Sequence, residues 1–465
     1  MENWLKDFWQ DLPTQVLFGI AIALVLWFLN FMWNNYKKIN DFLIRRRNRQ
    51  IKDRHRKGWQ MMTAESNKGL TRLLLDHYSG TNSADLVYLG YEYKNMEYRE
   101  YPLVTAKDLL LLSSKSKKTN YKFFDGQPFQ SMLVNNIDLN SAKKYLEIVG
   151  LNFWDSPIYS LYSIEQDLSS VEFTSCNYNN LRFQAYRYSF GSLSDELAQS
   201  VAKYGIEKLR KKWKRLDRYW PKRKKLLASA DDVVSKIGTS YYCNRICAGG
   251  TLALFVMDTQ ENGITDTAFV IQRRSQKVSD EPGVFSVVPK SFHTPSVDIR
   301  KEVNPINSIY REIYEELFGG EDKPEKLGYV MPYYYRSQSS GVNALMEDNG
   351  NNHELVPLGI LWDLVQGNFH MSYLFYIKDI SWWNKYKDQL RVNWEVDEEV
   401  TPLIKLSETE KIIELIRDTN WAADSYFTFV EGLRWLCKTR KIKGRQKILE
   451  LLPTLRITHL DKRRR

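Results

Sequence analysis

Three glutamates and an arginine fall within six consecutive positions of the stretch "NSIYREIYEELFGG", Asn307 to Gly320. Carboxylates spaced i, i+3 and i+4 converge on one side of a helix. Charges that close repel one another unless a cation sits among them. Hard divalent ions such as Mg2+ take oxygen ligands of this kind and share them with phosphate oxygens. An ion so held polarises a phosphoryl group and helps turn water into hydroxide. Glu312, Glu315 and Glu316 are therefore candidate metal ligands, and Arg311 can pair with one of them and fix its rotamer. The same quartet also suits an ordinary solvated helix face.

The elements around the quartet decide how it is held. On a wheel of about 100° per residue, Ile306, Ile309, Tyr310, Ile313, Tyr314 and Leu317 share one arc and the charged residues share the other. Asn304 suits the N-cap and Pro305 the first helical position. Gly319 and Gly320 supply a C-terminal stop. This predicts an amphipathic helix that presents an acidic face. Upstream, "GGTLALFVMD", "TDTAFVIQRRS" and "GVFSVVPKSF" read as three strands.

The run "REIYEELFG" resembles the second half of the Nudix box, R-E-U-x-E-E-x-G-U, where U is aliphatic. Arg311, Glu312, Ile313, Glu315 and Glu316 match in place, and the glycine comes one residue late, at Gly319. The order of strands before the helix is also similar. The first half of the box departs from the pattern: Pro289-Lys290 stands where the family has a glycine pair, and Val303, beside Glu302, stands where it has a glutamate. The resemblance implies an α/β fold of the α+β Nudix kind, a mixed sheet between helices. It also implies Mg2+ or Mn2+ held by Glu312, Glu315 and Glu316, with Glu312, Glu315 and Arg311 in the catalytic role. Arg273, Arg274 and Lys290 flank the expected pocket and suit a phosphodiester backbone, and His293 in "SFHTP" is placed beside them. Each of these also reads as an ordinary surface charge or, for His293, as a structural histidine.

Composition bounds the rest. The chain has 465 residues, and 43% are apolar, enough to fill substantial cores, which excludes wholesale disorder. Cys176, Cys243, Cys247 and Cys437 have neither the number nor the spacing of a disulfide framework or a zinc site. The net charge of +11 is concentrated. Lys37–Lys57 holds ten Lys/Arg against Asp41 and Asp53, and the segments 203–225 and 438–465 are similarly basic, so the remainder is acidic. Basic segments of this kind suit anionic headgroups, nucleic acid or plain solvent.

Val16–Trp33, "VLFGIAIALVLWFLNFMW", is free of formal charge and reaches about 27 Å as a helix, close to the hydrocarbon thickness. Trp27, Trp33 and Tyr36 suit an aromatic belt. Its mildly acidic leading flank and the bulky residues after it do not suit a cleaved signal peptide. The basic stretch that follows predicts a single-pass protein of the inner membrane, N-terminus outside and bulk cytoplasmic. The expected divisions are an anchor over 1–35, a basic juxtamembrane segment over 36–60, an α+β region over 61–235, the Nudix-like domain over 236–437 and a basic tail over 438–465.

The variant signature "VVPKSFHTPSVD…NPINSIYREIYEELFGG" is similar to Nudix domains associated with bacterial cyclic-oligonucleotide synthases. With the anchor, the chain resembles the transmembrane–Nudix effectors of CBASS antiviral systems. That resemblance implies a cyclic oligonucleotide signal from a CD-NTase, a homo-oligomer on activation, and damage to the lipid bilayer. Two other readings stand beside it: a tethered Mg-dependent hydrolase of nucleoside diphosphate derivatives, and a scaffold whose basic segments bind lipid or nucleic acid.

Overall fold

The computed structural model describes residues 14–65, 71, 74–75, 86–94, 97–112, 119–125, 140, 143–144, 147–148, 157–179, 203–205, 208, 234–243, 247–275, 281, 283–295, 297–320, 335–347, 351–364, 367–391, 403–442 and 444–460. The near-alternation of Leu181, Phe183, Ala185 and Tyr186, which suits a strand, and nearly all of the basic stretch before Pro221, which suits a helix, lie outside them. The chain forms two compact units, Met1–Asp53 and Arg54–Arg465.

Helix α1 (Thr14–Glu65) is continuous over 52 residues, about 78 Å at 1.5 Å per residue. No proline interrupts it. The stretch Phe18–Arg54 is long and apolar enough to cross a membrane, and none of its most apolar window is buried. Asn30, the one Asn within Val16–Trp33, is satisfied locally: its Oδ1 accepts from Asn34 Nδ2 at 3.2 Å. The basic juxtamembrane segment continues the same helix.

The second unit is mixed α/β. Its early strands are β1 (Leu86–Glu92), β2 (Tyr98–Ala106), β3 (Asn120–Phe124), β4 (Pro157–Glu165), β5 (Ser170–Asn179), β6 (Ser235–Ile237) and β7 (Ser240–Tyr242). Then come β8 (Gly249–Glu261), β9 (Ile264–Arg273), β10 (Phe285–Val287) and β11 (Lys290–Phe292). Helix α2 (Ile306–Glu312) runs into a π-helical turn, Ile313–Leu317. Two short helices follow, α3 (Tyr335–Gln338) and α4 (Ser340–Glu347), then β12 (His353–Asp363), β13 (Phe369–Ile377) and α5 (Ile380–Tyr386). The chain continues through β14 (Leu403–Lys405), α6 (Thr409–Arg417), α7 (Ala423–Thr439), α8 (Arg445–Leu451) and β15 (Thr454–His459).

Among the described residues, ten strands form one sheet in the order β10-β9-β8-β13-β12-β2-β1-β15, with β11 added to β8 and β14 to β9. Its centre is the parallel pair β8–β13, and the neighbouring pairs are antiparallel. A second sheet has the order β3-β5-β4-β7-β6. The segments 61–235 and 438–465 are thus not bodies apart from 236–437: β1, β2 and β15 extend the same sheet. Burial explains why. The pleat of β8 sends Ala253, Phe255 and Met257 to one core, with Ile309, Ile313 and Leu317 of the α2 region, and Leu252, Leu254 and Val256 to the other, with Phe429 and Leu433 of α7. A strand apolar on both faces must be covered on both. Cys243, Cys247 and Cys437 are buried free thiols, as their spacing implies.

The third expected strand divides in two. Pro289, after a cis peptide bond, has no N–H to donate to a ladder. Its carbonyl accepts from Ala253 N at 2.9 Å, and the chain passes from pairing with β9 to pairing with β8. There Gly250 lies so close to the partner strand that an added Cβ would stand 1.6 Å from Ser291 O. The substitution Gly250→Ala is expected to destabilise the second unit by at least the roughly 3 kcal/mol that marks the top of ordinary overpacking. Urea unfolding of the full chain measures it, and a midpoint equal to that of the parent would contradict the close approach.

Candidate functional site

The helix that carries the glutamates begins and ends as its sequence predicts. Asn304 Oδ1 accepts from Ile306 N at 3.0 Å, and Gly319 closes the C-terminal end at φ +63°. The expected acidic face, however, is not presented to solvent. Arg311 is 5%, Glu312 9% and Glu316 1% exposed. Two causes act together. The turn from Ile313 to Leu317 is π-helical, so the 100° wheel fails just where Glu315 and Glu316 lie. The helix also packs on β8 and β11, and its charges are drawn into pairs with Arg311 and with the groups of β9 and β11.

Arg311 organises those pairs. Its guanidinium donates to Thr294 O at 2.9 Å and to Glu312 Oε1 at 3.1 Å, and it approaches Glu315 Oε1 at 3.5 Å. Glu316 points elsewhere. It accepts from Gln272 Nε2 at 3.3 Å and from the main-chain N of Lys290 at 3.0 Å, so it ties α2 to β9 and β11. Among the described residues no group of three or more His, Cys, Asp or Glu side chains converges as a metal-ligand set. The donor set as folded therefore does not fit a divalent ion held by all three glutamates: Glu316 is committed to two N–H donors and the other two to a cation already present. Glu302 has a similar structural task, accepting from Val297 N and Asp298 N at 2.8 and 3.1 Å.

The four candidate ligand-binding residues are divided by the sheet. Lys290 is paired with Leu252 across the β11–β8 ladder, so its side chain shares the α7 face. There its ammonium meets Asp424 at 2.8 Å and Glu281 at 2.9 Å. Burial alone would lower the Lys290 pKa, but Asp424 and Glu281 outweigh it and raise it. Asp424 behaves reciprocally: burial would raise its pKa, yet Lys290 and His370 hold it well below the usual carboxylate range. His370 Nδ1 lies 2.9 Å from Asp424 Oδ2. Arg273 donates to Gly283 O at 3.1 Å, with its guanidinium over the Phe285 ring. Arg274 is buried, and its charge reaches the Lys290 ammonium.

His293 is on the α2 side and wholly buried. Its Nε2 faces Val303 O at 3.0 Å, and a carbonyl only accepts, so Nε2 carries the proton. Nδ1 then accepts from the Ser308 hydroxyl at 2.9 Å, and the ring stacks on Tyr159. Burial lowers its pKa to about 3, with the Arg311 charge adding to the effect and the Val303 carbonyl opposing it. The structure thus brings Arg311, Glu312 and Glu315 together and gives Lys290, Glu316 and His293 architectural partners. Sequence reasoning missed Asp424, His370, Glu281 and Gln272. Asp424 lies 134 positions from Lys290 and carries no local motif, so only the fold reveals the pair.

Two outcomes follow from these pairs. Glu316→Gln turns a hydrogen-bond donor toward the donors it must satisfy and is expected to cost about 1–3 kcal/mol, read as a lower urea midpoint. His293, neutral when folded and protonated below about pH 6.5 when unfolded, makes the unfolded state bind more protons. Its contribution to stability is therefore fully present above that pH and is lost as pH falls toward about 3. The acid limb of stability against pH should be shallower in His293→Gln than in the parent, and equal slopes would contradict the burial of a neutral ring. Comparison with known proteins finds no matching family model and no similar curated protein, so residues and geometry carry the functional reading.

Proposed function

We propose that the chain is a membrane-anchored effector of the CBASS kind. Its α/β body, read as a variant Nudix domain, senses a cyclic nucleotide made by a CD-NTase, and α1 delivers the response at the inner membrane. One observation carries the reading: a bilayer-length helix with exposed apolar side chains is joined to a body whose box helix has its carboxylates drawn into internal pairs. Hydrolysis of a soluble nucleotide gains nothing from the first feature, and a Mg2+-loaded hydrolytic site would have to undo the second. Recognition of an anionic ligand suits both. A ligand phosphate that reaches Arg311 would replace Glu312 and Glu315 with an anion of the same sign, so the guanidinium keeps a partner without a metal. The excess of basic residues from Lys37 to Lys57 supports a cytoplasmic body by the positive-inside bias.

The test uses the full chain in phospholipid nanodiscs, offered cyclic di- and trinucleotides with and without Mg2+. At least one is expected to raise the thermal midpoint in a concentration-dependent way without being consumed. Arg311→Lys, which loses the planar fork, should weaken that shift. A flat response to every cyclic nucleotide would overturn the reading. Mg2+-dependent turnover that disappears in Glu312→Gln would establish the tethered hydrolase instead.

A further inference from the structure

The exposed side chains of α1 carry a pattern that composition alone does not require. Phe18, Ile22, Val25 and Leu29 are spaced four, three and four apart, and each is at least 45% exposed. Within the bilayer-length run this is uninformative, since any phase of an apolar helix is apolar. Beyond Trp33 the sequence turns polar, and the pattern persists. Met32, Tyr36, Ile39 and Leu43 continue the spacing of three and four, again with more than half of each side chain exposed. Apolar residues that recur every 3.5 positions form the seam of a parallel coiled coil.

Charge placement agrees independently. When Tyr36, Ile39 and Leu43 are set as core positions, the flanking positions are Asn35, Asn40 and Phe42, all uncharged. Lys37, Lys38, Asp41 and Arg45 fall on the outward side. The next core position is Arg46, followed by Arg47, so the seam stops there by like-charge contact. Asn30 and Asn34, bonded to each other, lie away from the seam. Copies inserted in one bilayer share one orientation, so a self-complementary stripe meets itself in parallel and in register.

The geometry points to a second copy of this chain as the occupant of this stripe, through a parallel seam that runs from Phe18 to Leu43 and projects about 15 Å past Trp33. The inference rests on the anchored reading in that α1 is taken to cross a bilayer. Lipid tails solvate Leu and Ile as well as a partner helix does, so the part inside the membrane contributes packing only. Tyr36 sits with Trp33 in the interfacial belt, and Ile39 and Leu43, beyond it, meet water and supply the hydrophobic drive. Association of copies is thus controlled by two residues beyond the belt, Ile39 and Leu43.

Single cysteines placed in the full chain, reconstituted in phosphatidylcholine–phosphatidylglycerol vesicles, test it. Ile39→Cys and Leu43→Cys are expected to cross-link between copies about tenfold more than Lys38→Cys and Asp41→Cys, because core positions bring side chains of the two helices together. The parent chain sets the background. Ile39→Asn with Leu43→Asn should abolish cross-linking through Tyr36→Cys, while Ile44→Asn, equally apolar and off the seam, should leave it unchanged. Cross-linking that is absent, or equal around the helix, overturns the seam. Alkaline extraction of the same vesicles reports separately on anchoring: release of the chain defeats the membrane reading, while the phase of the cross-links still judges the seam.

Discussion

Burying a charged helix is the constraint from which the arrangement of the body follows. With Arg311, Glu312 and Glu316 buried, those charges cannot be left to water, and each needs a partner of fixed position. Arg311 takes Glu312 and Glu315, and Glu316 takes the N–H groups of Lys290 and Gln272. The same demand recurs across the sheet, where Lys290, Asp424 and His370 share one buried site. Lys290 links the two systems. Its main-chain N is held by a carboxylate from α2 and its ammonium by a carboxylate from α7. One residue of a three-residue strand is thereby gripped from both layers, and the short strand β11 keeps its place beside β8.

Much of this was legible in sequence, and the limits have physical causes. The strands β8 and β9 announce themselves because continuous apolar runs bounded by polar turns have few other ways to be buried. The helix boundaries at Asn304 and Gly319 were legible because caps are local chemistry. What the helix does with its charges was not. A wheel assumes one periodicity, and the π-helical turn breaks it within the motif. A wheel also assumes that charges face water, whereas Arg311 is long enough to turn back and reach the carbonyl of Thr294.

The misjudged boundaries have a different origin. The segment 438–465 looks like a solvated basic tail because Lys and Arg dominate its composition. Yet Ile448, Leu452 and Leu460 are buried, and the charges ride outside them. Arg456, for example, pairs with Glu92 across the β1–β15 ladder. Composition averages over the two sides of a strand and hides such alternation.

The pairing of β1 with β15 has one more consequence, for the order of events during synthesis. A ribosome delivers α1 first and β1 soon after, but the strand that covers the outer edge of β1 comes late. A membrane-bound nascent chain would therefore carry an open, apolar strand edge through most of translation, with Val87 and Leu89 awaiting their layer. On the anchored reading, α1 would insert long before the body could close. Chaperones at the membrane surface, rather than those in bulk cytosol, are the ones such a chain would meet.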